Sequence, residues 1–160
     1  MNNQKTQFIV NASMIASIYT VLVIMAAPIS FGPIQFRIAE ALTVLPFFTP
    51  AAIPGVTIGC FLSAILTGAD ILDIIFGTLA TLIASTLSYK LRNNKYLVPL
   101  PPVISNALII PWVLKYAYAE AMPIYFMMAS VAIGEVFACY GLGLILLFSL
   151  KKINYIFKLN

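Results

Sequence analysis

The 160 residues are 62% hydrophobic and only 9% charged, with a net charge of +4 and a mean hydropathy of +1.01. A soluble domain has no way to hide that much apolar surface, so the composition excludes one and makes a lipid bilayer the solvent for most of the chain. The nine basic residues lie between apolar segments and form no stripe with aromatic side chains, which argues against a nucleic-acid partner.

Six membrane segments are predicted, at 8–27, 38–49, 53–67, 71–90, 99–118 and 122–150, giving an all-α bundle of about six helices in a single domain over 1–160. The first is expected to be retained. Lys5 precedes it as in a signal peptide, yet no small-residue cleavage site follows before "PISFGPIQFR". On it Ala12, Ala16 and Thr20 share one face. Small residues four apart give a flat strip where another helix packs, either from within the chain or from a partner.

The next stretch, "PISFGPIQFRIAEALTVLPFFTPAAIPG", places Gln35, Arg37 and Glu40 within six residues. Glu40 lies one turn beyond Arg37, near enough to pair with it. The pair reads either as an ion pair holding the loop or as the mouth of a binding site, because ionisable groups at membrane depth tend to line cavities and pathways. Segments two and three are too short for simple spans, and Pro46, Pro50 and Pro54 cluster between them, so tilted, broken or re-entrant geometry is expected.

Segment four opens with "GADILDIIFG", where Asp70 suits a helix N-cap and Asp73, further in, suits either the helix dipole or the same mouth as Arg37. Its small residues Gly77, Ala80, Thr81, Ala84, Ser85 and Ser88 read as a packing face. Asn106 lies about 12 Å into segment five. It reads as an interhelical hydrogen bond or a site residue. Trp112, Tyr116 and Tyr118 near the end of that segment fit an aromatic belt, with Trp112 also suited to stack on a flat ligand. Glu135, in the middle of segment six, has to be protonated, paired across helices or facing water, and is the first candidate for lining a cavity.

Charge asymmetry sets the orientation. With both termini cytoplasmic, Lys5, Lys90, Arg92, Lys95, Lys151, Lys152 and Lys158 are inside and only Arg37 and Lys115 outside. Four of the five carboxylates, Glu40, Asp70, Asp73 and Glu120, then fall at or near the outer ends. No histidine is present, and Cys60 and Cys139 lack metal-site spacing, so metal and thiol chemistry are not expected, and buried free thiols are favoured over a disulfide. With no Ser or Cys beside an evident base, an enzyme is not expected either. The chain lacks a phosphate-cradling GxxxxGK[ST] loop, so any ATP-derived energy has to come from a partner. A solute facilitator working alone is the rival reading.

The blocks "APISFGPIQFRIAEALTVLPFFTPAAIPG", "GADILDIIFGTLATLIAS", "PLPPVISNALIIPWVL" and "GEVFACYGLGL" resemble the QueT family. That resemblance implies an S component, the substrate-capture subunit of an energy-coupling factor importer in a prokaryotic plasma membrane, working with a transmembrane T component and two ATPase subunits that use ATP. It implies a queuosine precursor, a deazaguanine base, as cargo, and it makes Ala12 and Ala16 the strip that docks on the T component. A guanine-like edge offers two adjacent donors that one carboxylate accepts together, which suits Glu135 or Glu40. A cationic aminomethyl group on the base would suit Asp73. Asn106 and Gln35 would serve the carbonyl and ring nitrogens.

Overall fold

The structure, a computed structural model, describes residues 3–30 and 37–152. Its elements are α1 (Asn3–Ser30), a 3₁₀ helix (Ile38–Phe47), α2 (Ala52–Leu66), α3 (Ile71–Lys90), α4 (Leu100–Ala117), and a final span in which α5 (Ile124–Glu135) runs through a π-helical stretch (Val136–Gly143) into α6 (Leu144–Lys152). Among the described residues there is no strand. Among the described residues four spans, Asn3–Ala26, Ile71–Lys90, Leu100–Ala117 and Ile124–Lys152, are long and apolar enough to cross a membrane. The chain is a multi-pass membrane protein built as the predicted helical bundle.

The two short segments differ in kind from the others. At 2.0 and 1.5 Å per residue the 3₁₀ helix and α2 are each about 20 Å long, well under the roughly 30 Å of a bilayer core. Every residue of the 3₁₀ helix from Ala39 to Pro46 is buried, so it is an internal helix wrapped by the others. The long spans keep most of their apolar surface outward, as Ile9, Met25, Ile71, Leu108, Phe137 and Ile145 illustrate.

Local chemistry sets the ends. Asp70 caps α3, its carboxylate accepting from the Leu72 amide at 2.8 Å, as its position predicts. Prolines stand in the first turn of α4, where a missing N–H costs nothing. The turn before α3 passes through Gly68 at φ +69°, a conformation that glycine adopts without strain.

Packing relies on small residues. A Cβ at Gly55 would lie 2.9 Å from the Ile15 Cβ and 3.0 Å from the Ala12 carbonyl oxygen, and one at Gly59 would lie 2.7 Å from the Tyr19 Cβ and 2.9 Å from the Ala16 oxygen. So α1 and α2 meet almost backbone to backbone. Ala12 and Ala16 are therefore buried against α2 of the same chain. The small face of α3, from Gly77 to Ser88, is buried as predicted and packs between α2 and α4. Gly143 does the same between the π stretch and the 3₁₀ helix, where a Cβ would come within 2.9 Å of Val44 Cγ1.

Candidate binding site

The 3₁₀ helix carries Glu40 into the centre of the bundle, and the π stretch follows directly after Glu135. Both irregular segments belong to types that recur at functional sites. Where they cross, two carboxylates meet: Glu40 and Glu135 are 0% and 1% exposed. Asn106, at 1% exposure, links them from α4. Its Nδ2 donates to Glu135 Oε1 at 2.8 Å, and the same amide lies against the Glu40 carboxylate.

The remaining contacts are from neutral donors. The Tyr19 hydroxyl donates to Glu40 Oε1 at 2.6 Å. The Cys139 thiol, one turn beyond Glu135, lies 3.5 Å from Glu135 Oε2 and 3.5 Å from the Glu40 carbonyl oxygen. Thr43 donates to the same carbonyl at 2.6 Å. Two buried acceptors, Glu40 Oε2 and Asn106 Oδ1, have no hydrogen-bond partner. Buried carboxylates are costly unless hydrogen-bonded or paired, so this cluster is expensive for folding alone to keep.

Next to the cluster, toward the end of the bundle that holds Asp70 and Glu120, lies a cavity of about 340 Å³. Small-molecule sites are typically about 300–1,000 Å³. Tyr19 and Ala39 separate the cavity from Glu40, and Arg37, Asp73, Tyr118 and Glu120 line its polar side. Arg37 pairs with Asp73 at 3.8 Å. The close ion pair of Arg37 is thus with Asp73 and not with Glu40, one turn away, whose carboxylate is held by Tyr19. Tyr118 ties the same corner, donating to Asp73 Oδ2 at 3.1 Å and accepting from the Asp70 amide at 3.2 Å. Burial first, and the nearby Asp73 and Asp70 carboxylates, push the Tyr118 phenol above its ordinary range, so it stays a donor at neutral pH.

Of the residues singled out from sequence, the structure brings Glu40, Glu135 and Asn106 into one cluster and Arg37 and Asp73 onto the cavity beside it. Trp112 is not among the residues that line the cavity. It is half exposed on α4, stacked on Tyr116 and lining an apolar groove with Leu72, Phe76 and Leu108. Gln35 lies outside the described residues. Tyr19, Thr43 and Cys139 were not anticipated, although signals existed: Tyr19 continues the face of Ala12 and Ala16, and Cys139 is four residues beyond Glu135. Both cysteines are free and buried. Among the described residues no group of three or more His, Cys, Asp or Glu is arranged to hold a metal.

The chain matches the family model described as QueT transporter over residues 9–152. It is also 39% identical, over 96 residues, to a Lactococcus lactis subsp. cremoris protein named queuosine precursor transporter QueT. That match covers 59% of this chain and spans 56% of the relative's length. No solved structure matches the chain.

Proposed function

The chain belongs to the QueT transporter family, and from that premise we propose that it is the substrate-capture subunit, or S component, of an ATP-driven energy-coupling factor importer for a queuosine precursor. The cargo is a deazaguanine base taken from the outer side of a prokaryotic plasma membrane, with both termini cytoplasmic. The single observation that carries this reading is the pair of fully buried carboxylates, Glu40 and Glu135, joined by Asn106 next to a cavity of ligand size. Two acceptors of this cluster, Glu40 Oε2 and Asn106 Oδ1, have no hydrogen-bond partner, and a base edge with adjacent N–H donors is the kind of ligand that could supply them. The relative's name points to the same cargo.

The charge balance of the site fits a base with a cationic substituent. Asp73 and Glu120 line the cavity with Arg37 as its one cation among the described lining residues. Two carboxylates against one guanidinium leave the lining net negative, which favours an ammonium group on the ligand. ATP hydrolysis takes place in two partner ATPase subunits, and a T component couples them to this chain. Ser13 and Ser17, exposed on the outward face of α1, offer that component a flat surface beside the buried alanines.

Affinity purification from native membranes tests the assembly. Recovery of a transmembrane partner with two ATPases is expected, together with uptake of labelled base that stops when the ATPases' phosphate-loop lysines are replaced. Undiminished uptake by this chain without the ATPases would identify a stand-alone facilitator and contradict the importer.

A further inference from the structure

We propose that the gap over Gly77, beside the Asp73 carboxylate, is the subsite for a cationic substituent on the base, and that Gly77 sets specificity by leaving that gap open. This rests on the deazaguanine reading above and places one part of the ligand.

Gly77 differs from the glycines that serve helix packing. At Gly55, Gly59 and Gly143 an added Cβ would lie 2.9, 2.7 and 2.9 Å from a side chain of a neighbouring helix. At Gly77, among the described residues, the same Cβ would meet a single atom within 4 Å, Asp73 Oδ1 at 3.2 Å. Gly77 is buried, yet no described helix fills the space its missing side chain leaves. That space belongs to the cavity. Gly77 and Asp73 both line it, one turn apart on the same face of α3. A glycine inside a helix is less stable than an alanine, so packing alone gives no return for it here.

The carboxylate beside the gap is held in place and still has room for a donor. Among the described residues, Tyr118 donates to Asp73 Oδ2 at 3.1 Å, while Arg37 stands 3.8 Å from Oδ1, beyond hydrogen-bond length. A carboxylate has about four acceptor positions, so these contacts leave it able to accept from an ammonium group. Glu120, the other acid of the lining, offsets the guanidinium. The Asp73 side chain is 19% exposed, so a charge pair made there is shielded from water better than one on an open surface. An aminomethyl substituent is one carbon and one nitrogen long. Its methylene takes the place of the absent Cβ, and its ammonium faces Asp73.

Calorimetry on the purified full chain tests the subsite with 7-deazaguanine, its 7-aminomethyl derivative and the neutral 7-hydroxymethyl derivative of matching size. The parent is expected to bind the aminomethyl base roughly 10- to 100-fold tighter than 7-deazaguanine, the scale of one charged hydrogen bond. Gly77→Ala fills the gap, so it should weaken both substituted bases and abolish the preference for them over 7-deazaguanine. Asp73→Asn leaves the gap open and removes the charge, so it should weaken the aminomethyl base alone. Alanine is the better helix former, and a melting midpoint of Gly77→Ala at or above the parent's separates a loss of binding from a loss of fold. If that variant does not purify as a monodisperse protein, Gly77→Ser occupies the same gap and carries the same expectation.

A Gly77→Ala protein that keeps the parent's preference for the aminomethyl base would overturn the inference, and so would equal losses for all three bases. A parent that binds 7-deazaguanine with no preference for the aminomethyl derivative overturns it as well, and the deazaguanine reading survives. A parent that binds none of the three overturns the cargo reading and the subsite together.

Discussion

Adding one methyl group at Gly59 should disturb the binding site from outside it. The Cβ of Gly59→Ala would lie 2.7 Å from the Tyr19 Cβ and 2.9 Å from the Ala16 carbonyl oxygen, where ordinary contacts are 3.4–4 Å. Neither neighbour is the far end of a flexible side chain, so α1 and α2 have to separate by several tenths of an ångström. That lengthens the 3.2 Å hydrogen bond from Thr20 Oγ1 to the Gly59 oxygen and shifts Tyr19, the donor to Glu40. Overpacking of this kind costs about 1–3 kcal/mol, which for a chain of this size lowers the melting midpoint by roughly 2–12 °C. Ligand affinity should fall in parallel, since Tyr19 is both a cavity wall and the partner of a site carboxylate. Gly141→Ala is the control, because a Cβ there meets nothing within 4 Å. Thermal unfolding in detergent and calorimetry of ligand binding read both effects. A Gly59→Ala protein that melts and binds like the parent would refute the close α1–α2 contact and its link to the site.

Ala16→Trp should destabilise the isolated chain, because Ala16 is buried against α2; normal melting of that variant would show that the alanine faces outward after all. Asp73→Asn should weaken a base carrying an aminomethyl group by about tenfold, the effect of losing one charged contact, and leave an uncharged analogue almost unchanged; equal loss for both would remove Asp73 from the ligand's charge recognition. Tyr118→Phe removes the hydroxyl that joins Asp73 to the Asp70 amide and should cost about 0.5–1.5 kcal/mol of stability, measurable as a lower melting midpoint. Cysteines placed at Lys95 and Asp70 should label from opposite sides of the membrane, with Lys95 reached only from inside; outside labelling at Lys95 would reverse the orientation.

Hydrophobic patterning made most of the bundle legible. Segment four was expected at 71–90 and α3 is Ile71–Lys90, and its small-residue face, capped by Asp70, is buried as its spacing implied. Those are local signals, readable one helix at a time. The shortness of segments two and three was also visible, but their physical basis was not. Nothing in "IAEALTVLPF" says that the helix is wrapped on every side, because burial depends on where the other helices lie. The π stretch after Glu135 was equally silent.

The site was legible as a set of residues and not as a set of pairs. Glu40, Glu135 and Asn106 stood out because polar groups are costly in apolar helices, and that cost is a property of sequence. Which of them meet is tertiary. Arg37 has Glu40 one turn away, yet its guanidinium pairs with Asp73. Trp112 had two valid chemistries, and only the rotation of α4 decides between them. Ala12 and Ala16 promised a close helix contact, which they make, though with α2 of the same chain. Spacing announces that a face is small and leaves its neighbour open.

Equilibrium binding of a panel of purines and 7-deazapurines to the purified chain tests the central claim most directly. The account predicts that 7-deazaguanine bases bind, that one bearing a cationic aminomethyl group binds tightest, and that bases lacking the exocyclic amine or the ring N–H bind at least about tenfold more weakly. Binding confined to ligands without that donor pair, or no binding by any deazaguanine, would contradict it.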